Sequence, residues 1–276
     1  MRLFAAALLA ALPAAAQQLE LPRPSPAAKV SQTMGVTEIT VDYSSPGVKG
    51  RAIYGGLVPF DKPWRTGANL SPKITFSKDV QIGAAKVAAG TYLLVAIPGR
   101  DAWTWIVNKN PGASPANDSY KPADDVVRVE ARPAGIPPRE RMAFIFSDTT
   151  DDSTRLDLDW DKTRVSLPIR AFTADQVAAS IKGLEDGSWG PLNQAARYML
   201  ETTKDYESGM RLVEKSLALR QHWFNLWTKA QLLAAQGKHA DARALAEKVQ
   251  ELGGKAKNFF AAEEVKKALA DWKDRG

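Results

Sequence analysis

The segment VPFDKPWRTGAN, residues 58 to 69, concentrates side chains that could bind a ligand. The guanidinium of Arg65 offers five donors in a planar fork that suits a carboxylate or a phosphate. Trp64 offers a flat face for stacking, and Asn69 can both donate and accept hydrogen bonds. Gly67 lets another group approach the backbone closely. Together these residues are a candidate binding site for an anion.

A structural role explains the same segment. Arg65 would bond to loop carbonyls or to Asp61, Trp64 would plug the end of a sandwich, and Asn69 would start the next strand. The sequence favours this role, because a rigid turn is needed between two strands. Arg65→Ala should then leave these acceptors without a donor and lower the free energy of unfolding by about 1 to 3 kcal/mol. The complete set of candidate ligand-binding residues is Arg51, Tyr54, Asp61, Trp64, Arg65, Thr66, Gly67 and Asn69.

Catalysis by histidine or cysteine is excluded for most of the chain. The two histidines, His222 and His239, lie near the C-terminus, and there is no cysteine. A Ser-His-Asp triad, a Cys-His pair and a histidine-ligated zinc site therefore lack their residues in the part that precedes them. Neither histidine has a second ligand at i+4, so surface or turn positions explain both. No cofactor is predicted.

A carboxylate mechanism needs neither residue type. In this alternative, the protein is an envelope hydrolase that acts on a glycan or an ester. Asp42 or Asp61 would serve as acid or base, and Tyr43 or Tyr54 would donate a proton. Arg65 would hold an anion. The mechanism requires two carboxylates roughly 5 to 10 Å apart in one cleft.

Two groups of aspartates are candidates for a metal site, and neither is convincing. SDTTDDS, residues 147 to 153, lacks the glycine and the closing glutamate of a calcium loop. Asp157, Asp159 and Asp161 alternate along the next strand, as charges do on a solvent-facing strand. A polar turn and a solvated strand face are expected, and no metal site is predicted.

The N-terminus has the features of a secretory signal peptide. An apolar run from Leu3 to Leu12 follows Met1-Arg2, and three alanines precede Gln17. We expect a signal peptide over residues 1 to 16 and a mature protein in the periplasm or outside the cell. No later stretch approaches the roughly 20 apolar residues of a membrane span.

The charge of the chain argues against a nucleic-acid partner. There are 37 basic and 31 acidic residues, which gives a formal net charge of +6. The excess is small, and the basic residues are interspersed with acidic ones along the predicted helices. Nucleic-acid binding proteins instead concentrate their basic residues in a patch or stripe.

The sequence predicts strands in the first two thirds of the chain. Runs such as TEITVDY, AWTWIVN and TRLDLDW alternate apolar and polar residues, and clusters of turn formers separate them. AGTYLLVAI, residues 89 to 97, is apolar on both faces, as in a central strand that is covered on each side. Eight or nine such strands without intervening helices predict an antiparallel β-sandwich over residues 17 to 182.

Two segments of this region have distinct patterns. LDWDKTRVSLPI predicts a hairpin that turns at Asp161 to Thr163, because Leu167 and Ile169 continue the inward alternation beyond Val165. Residues 108 to 125 have no periodic pattern and are rich in Pro, Gly, Ser and Asn. Loops of that length are typically functional or mobile.

The composition changes at GLEDGSWGP, which predicts a linker over residues 183 to 191 and a helical domain over residues 192 to 276. A shift of 33 residues aligns KDYESGMRLVEKSLAL with GKHADARALAEKVQEL, and this period is close to that of a tetratricopeptide repeat. Gly209 and Ala242 fall where two helices must approach closely. The helical tail is a candidate surface for a protein partner.

The last predicted helix spans residues 258 to 273. Its buried stripe should contain Phe259, Ala262, Val265 and Trp272, which recur at helical spacing.

Three segments carry a resemblance to a known family: SSPGVKGRAIYGGLVPFDKPWRTGANLSPKITFSKDV, AAGTYLLVAIPGRDAWTWIVNKN and LDWDKTRVSLPI. Over about Pro22 to Arg170 the chain resembles the exported bacterial family of domain of unknown function 2911. Members typically read Trp-Arg-x-Gly-Ala-Asn-Glu, and this chain has Leu70 in place of the acidic residue. The resemblance implies bacterial export and no established reaction. Any activity that required the acidic residue would be lost here.

The favoured interpretation is an exported, non-enzymatic binding or scaffolding protein. Its sandwich would present the loop from Trp64 to Asn69, and its helical tail would contact a partner. The carboxylate hydrolase and a structural envelope protein without a small ligand are the alternatives.

Overall fold

The computed structural model describes residues 21–184 and 188–273. The predicted signal peptide lies outside these residues, as do residues 185–187 of the predicted linker. The chain divides between Thr173 and Ala174 into two compact units. Ten strands precede six helices, which confirms a β region followed by a helical region. No helix in the described residues is both long and apolar enough to span a membrane.

Two antiparallel sheets form the first unit, as the alternating sequence predicts. The strands are β1 (Ala27–Met34), β2 (Thr37–Ser44), β3 (Lys73–Phe76), β4 (Val80–Ile82), β5 (Ala85–Val87), β6 (Gly90–Ile97), β7 (Trp103–Asn108), β8 (Asp125–Ala131), β9 (Ala134–Ser147) and β10 (Ser153–Ala171). One sheet has six strands in the order β1-β2-β3-β6-β7-β8, and the other has four in the order β5-β4-β10-β9.

The main hydrophobic core draws residues from both sheets. In β2, Ile39 and Val41 are fully buried and alternate with exposed or half-buried residues, as period two requires. Leu156, Leu158 and Trp160 of β10 belong to the same core. The two apolar faces therefore cover each other, as in a sandwich.

Strand β6 is buried on both faces, which confirms the prediction from its sequence. Leu94 and Ala96 lie in the core between the sheets. Leu93 and Val95 point to the opposite side and pack in a second cluster with Ala113. Ala113 belongs to the long segment between β7 and β8, so this segment covers the outer face of the six-stranded sheet.

The segment between β7 and β8 is held by a hydrogen-bonded network. Its short helical turns span Pro115–Asn117 and Pro122–Asp124. The Asn108 side chain donates to the Lys121 carbonyl at 3.1 Å and to Asp125 Oδ1 at 2.8 Å. The Tyr120 hydroxyl donates to Asp125 Oδ2 at 2.9 Å. Burial, followed by this bond, raises the pKa of Tyr120 to about 12.

The predicted hairpin at Asp161 to Thr163 is wrong. Strand β10 continues through these residues without reversing, and it pairs with β9 on both sides of them. Asp161 has a φ of +55° at an irregularity in the pairing. Aspartate tolerates this left-handed conformation in a β-bulge as well as in a turn, so the sequence signal is shared by both structures.

The expected solvated face of β10 is also wrong. Asp157 is fully buried and Asp159 is 2% exposed. Arg164 donates to both carboxylate oxygens of Asp159 at 2.7 Å, and its Nη1 lies 3.5 Å from Asp157 Oδ2. The hydroxyls of Ser147 and Ser166 donate to Asp157 at 2.8 and 2.6 Å. In the described residues, no group of three or more acidic, histidine or cysteine residues could hold a metal ion.

The second unit consists of helices. They are α1 (Thr173–Lys182), α2 (Trp189–Tyr198), α3 (Tyr206–Leu219), α4 (Trp223–Ala235), α5 (His239–Gly254) and α6 (Ala262–Asp271). The first residue of α1 lies in the β unit, and α2 continues as a π-helical turn over Met199–Thr203. Each helix from α2 to α5 packs on the helix that follows it. Gly209 lies where α3 meets α4, because a Cβ there would be 2.8 Å from Leu232 Cδ2. Ala242 is fully buried. The predicted close approach is therefore present at Gly209, and Ala242 is buried as such a position requires.

The predicted stripe of the last helix is partly wrong. Val265 is fully buried and Phe259 and Trp272 are half-buried, but Ala262 is exposed and Ala261 is buried in its place. Helix α6 begins only at Ala262. The residues before it are not helical, so helical spacing cannot be extended back to Phe259.

Candidate functional site

The segment from Trp64 to Asn69 lies beside β6. Trp64 and Ala96 exchange two backbone hydrogen bonds of 2.8 and 3.0 Å, and the Thr66 hydroxyl donates to the Leu94 carbonyl at 2.9 Å. Strand β3 begins only at Lys73 and pairs with β6 up to Leu93. The segment therefore occupies the place along β6 that β3 leaves open.

Trp64 packs against the main core, as the structural role requires. Its ring is stacked on that of Trp160, with centroids 5.9 Å apart. Its edge contacts with Trp103 and Tyr54 have centroid distances of 6.3 and 6.4 Å. This aromatic cluster fixes one end of the segment.

Three residues that are not glycine hold the left-handed backbone conformation in and near this segment. Asp61, Thr66 and Asn69 have φ values of +60°, +52° and +55°. The conformation is unusual for a β-branched residue such as Thr66 and costs roughly 1 to 2 kcal/mol. Thr66 is fully buried, and its bond to Leu94 holds it in place. Strain of this kind is frequent at binding sites, where the surrounding structure imposes it.

Two other arginines of this region bond to loop carbonyls. Arg51 donates from Nη2 to the Gly47 carbonyl at 2.6 Å and from Nε to the Val48 carbonyl at 3.0 Å. Arg141 donates from Nη1 to the Pro24 carbonyl at 2.7 Å. Arg51 was a candidate for ligand binding, and its guanidinium is already used by its own loop.

Arg65 lacks such partners. It is half-buried, and its Nε is buried without a hydrogen bond in the described residues. The carbonyl bonds and the bond to Asp61 expected from a structural role are absent there. Asp61 is exposed, and its backbone N–H donates to the Pro98 carbonyl at 2.8 Å. An unpaired buried donor costs about 1 to 3 kcal/mol, so a ligand that supplied an acceptor would recover that cost.

Arg65 lines two clefts. The loop cleft, of about 380 Å³, is lined by Arg65, Lys73 and residues 69–71 on one side and by residues 111–114, 116 and 117 on the other. The tryptophan cleft, of about 260 Å³, is lined by Arg51, Trp64, Arg65, Trp160 and residues 25, 46, 57, 58, 67 and 68.

The structure divides the remaining candidates. Asn69 lines the loop cleft, and its amide donates to the Ser25 carbonyl at 3.1 Å and to Ser44 Oγ at 3.3 Å. Gly67 lines the tryptophan cleft, but a Cβ there would lie 3.3 Å from the Ser44 carbonyl and from Pro72 Cγ. Its lack of a side chain therefore lets the chain pack on itself.

Tyr54, Asp61 and Thr66 line neither cleft. The hydroxyl of Tyr54 is buried and has no partner in the described residues. Burial raises the pKa of Tyr54 well above its ordinary value, and Asp161 and Asp159 add to the shift. This hydroxyl is not suited to proton donation to a ligand.

The carboxylates required for hydrolysis are not brought together. Asp42 pairs with Lys73 of β3, which in turn pairs with Leu93 of β6. The backbone of Asp61 instead bonds to Pro98, five residues beyond Leu93. Strand spacings put these positions roughly 15 to 20 Å apart. Asp42 forms an ion pair with Lys29 at 3.2 Å, and neither aspartate lines a cleft with Arg65.

Most of the loop cleft was not predicted as site residues. Leu70, Ser71 and Lys73 follow Asn69 closely, and residues 111–114, 116 and 117 form the opposite wall. The unpatterned composition of residues 108 to 125 was a signal for a functional loop. Their contact with the Arg65 segment depends on strand order, which the sequence does not specify.

No match to the chain was found among curated proteins or among solved structures. A family model described as "Protein of unknown function (DUF2911)" matches residues 25–169, which is more than half of the 276 residues. Both clefts lie entirely within the matched range. The chain therefore belongs to the DUF2911 family of proteins of unknown function.

Proposed function

We propose that this protein is an exported, periplasmic binding protein. Its β unit holds a small ligand through an anionic group beside Arg65, and its helical unit contacts a protein partner. The signal-peptide pattern of residues 1 to 16 supports export.

The unpartnered guanidinium of Arg65 carries the proposal. Arg51 and Arg141 show that arginines of this region can satisfy loop carbonyls, yet Arg65 does not do so in the described residues. It lines two clefts beside a backbone held in a strained conformation at Thr66. A preorganised donor fork of this kind suits a carboxylate or a phosphate.

Binding explains this geometry better than hydrolysis does. Neither cleft contains a carboxylate among its lining residues, and Asp42 and Asp61 are far apart. Leu70 is 82% exposed. Members of the family typically have an acidic residue at this position. The lining offers donors and apolar contacts rather than an acid and a base.

The proposed partner-binding role of the helical unit rests on its repeated packing. Helices α3 and α5 occupy the two segments that align at a spacing of 33 residues, and each is followed by a helix that packs on it. This arrangement is similar to that of tetratricopeptide repeats, whose stacked helix pairs form binding surfaces. Leu219 and Phe260 are large apolar residues exposed on this unit.

A pair of arginine variants tests the proposed site in the mature chain. Arg65→Ala should leave the melting temperature unchanged or slightly higher, since the side chain stabilises no described partner. It should weaken binding in a calorimetric screen of inorganic phosphate, sulfate, acetate and succinate. Arg51→Ala, the control, should lower the melting temperature by several degrees, because two carbonyls lose their donor.

Two results would contradict the proposal. One is that Arg65→Ala melts several degrees lower, which would restore the structural role that the sequence favours. The other is that every anion bound by the mature chain binds the variant with the same affinity.

A further inference from the structure

Two residues that line the loop cleft each have one buried polar atom that lacks a partner. These atoms are Arg65 Nε and Ser71 Oγ, neither of which has a hydrogen bond in residues 21–184 and 188–273. Both belong to residues on the same wall. Buried polar atoms in native proteins usually have a hydrogen-bond partner, so both atoms are available to a group that enters the cleft.

The charge of the loop cleft is positive. Arg65 and Lys73 line it, and neither forms an ion pair with any described residue. No aspartate or glutamate is among the lining residues. The nearest acid in the sheet register, Asp42, is opposite Lys73 and forms its ion pair with Lys29. The cleft therefore presents two cations that form no ion pair with the described residues.

The opposite wall adds a further donor and a small apolar surface. The Asn117 side-chain oxygen accepts a hydrogen bond from the Ser119 hydroxyl at 2.6 Å, so its amide nitrogen remains to donate. Pro111 and Ala113 contribute apolar atoms. The volume of about 380 Å³ is at the lower end of the range for small-molecule sites.

We infer that the loop cleft binds a phosphate group, either as inorganic phosphate or as a small phosphate monoester. Arg65 and Lys73 neutralise its charge, and the Ser71 hydroxyl donates to one of its oxygens. A monoester carries a charge of about −1.5 to −2 at pH 7 and has three strong acceptor oxygens, which matches two cations and a hydroxyl. A carboxylate has one charge and two oxygens. The inference rests on the proposed function and adds the ligand class.

The test is a calorimetric titration of the mature full-length chain with glycerol 3-phosphate and inorganic phosphate, with acetate and succinate in parallel. Lys73→Gln should weaken phosphate binding by roughly tenfold, and Ser71→Ala by about threefold to tenfold. Lys62→Gln, on an exposed residue outside both clefts, should leave the affinity unchanged. Circular dichroism checks that each variant is folded.

Comparison of the two phosphate probes identifies the source of the group. Tighter binding of glycerol 3-phosphate assigns it to a monoester, and equal binding assigns it to inorganic phosphate. Either result supports the inference, provided that Lys73→Gln and Ser71→Ala weaken the binding of the phosphate probe.

The outcomes separate this inference from the proposed function. Failure of both phosphate probes to bind would overturn the inference alone, provided that acetate or succinate binds and depends on Arg65. So would phosphate binding that is unaffected by Lys73→Gln and Ser71→Ala. If Arg65→Ala, titrated in the same way, changes the affinity for none of the four anions, both proposals fail.

Discussion

At the residue scale, the arginines of the β unit differ in what they bond. Arg51 binds carbonyls three and four residues away, whereas Arg141 reaches Pro24, 117 positions distant in sequence. Arg164 binds two buried aspartates, and Arg65 has no described partner. A guanidinium has the same donors in each case, so partners brought together by folding decide its role.

The sequence predicted correctly which residues lie around Arg65. It predicted the role of Arg65 itself less well. Trp64, Gly67 and Asn69 do lie at the two clefts. The prediction that Arg65 bonds to Asp61 or to loop carbonyls failed, because it assumed a local partner. The burial of Asp157 and Asp159 was missed because their counterion, Arg164, lies beyond the bulge that was interpreted as a hairpin turn.

Arg164→Gln should destabilise the β unit strongly. The variant leaves two buried carboxylates without their cation, and breaking a buried ion pair typically costs 3 to 5 kcal/mol. Since the Arg164 side chain is 33% exposed, we expect about 2 to 3 kcal/mol. Thermal denaturation should show a decrease of roughly 4 to 12 °C.

Arg155→Gln is the matched control for this measurement. Its ion pair with Asp148 joins side chains that are 45% and 68% exposed, and such pairs contribute at most about 1 kcal/mol. Equal, small decreases for the two variants would show that the network at Asp157 and Asp159 does not stabilise the fold.

At the element scale, the hydrophobic pattern was a sufficient signal for three strands: alternation predicted β2 and β7, and a run that is apolar on both faces predicted β6. These strands bury the faces that their sequences predict. The pattern of β10 is ambiguous, because a residue such as Asp161 is compatible with a bulge and with a turn. The distinction depends on whether β9 is long enough to pair on both sides of it, which is a property of another element.

The N-terminus of α4 predicts a dependence of helix stability on pH. His222 Nδ1 accepts a hydrogen bond from the Phe224 N–H at 3.2 Å, and Asn225 Oδ1 accepts one from the His222 N–H at 3.0 Å. Burial, and then the charge of Arg220, lowers the pKa of His222 below its ordinary value of 6.5. Protonation would remove the Nδ1 acceptor.

The sign of the pH effect follows from the lowered pKa. The contribution of His222 to stability is present above its unfolded pKa of about 6.5 and is lost as the pH falls through the folded value. Lowering the pH from about 7.5 to 5.5 should reduce the melting temperature followed by helical circular dichroism. His222→Asn keeps an acceptor at the cap and does not titrate, so its decrease should be smaller. An identical decrease in both proteins would exclude His222 as the cause.

At the scale of the whole molecule, composition and periodicity predicted a β-sandwich followed by helices. They did not predict that the segment between β7 and β8 would cover the outside of one sheet. That segment lacks a periodic pattern, because its contacts come from single residues such as Ala113 and Tyr120. Features built from isolated contacts between distant parts of the chain leave no signal in a window of sequence.

The proposed export predicts a processed chain. When the full sequence is expressed in a bacterium, the protein in the periplasmic extract should begin at Gln17, as shown by intact mass and N-terminal sequencing. Leu9→Arg interrupts the apolar run and should retain the unprocessed chain inside the cell. A periplasmic protein that still begins with Met1 would contradict cleavage at this position.

In the segment between β7 and β8, packing of the sheet and the proposed ligand binding depend on one shared residue. Ala113 is 3% exposed and packs with Leu93 and Val95, while it also lines the loop cleft with Gly112 and Ser114 on either side. Under the proposed phosphate binding, a relative that changes its ligand through this wall must still keep a small apolar residue at position 113. The proposal therefore implies that ligand preference and folding diverge independently at residues 112 and 114 but evolve together at 113.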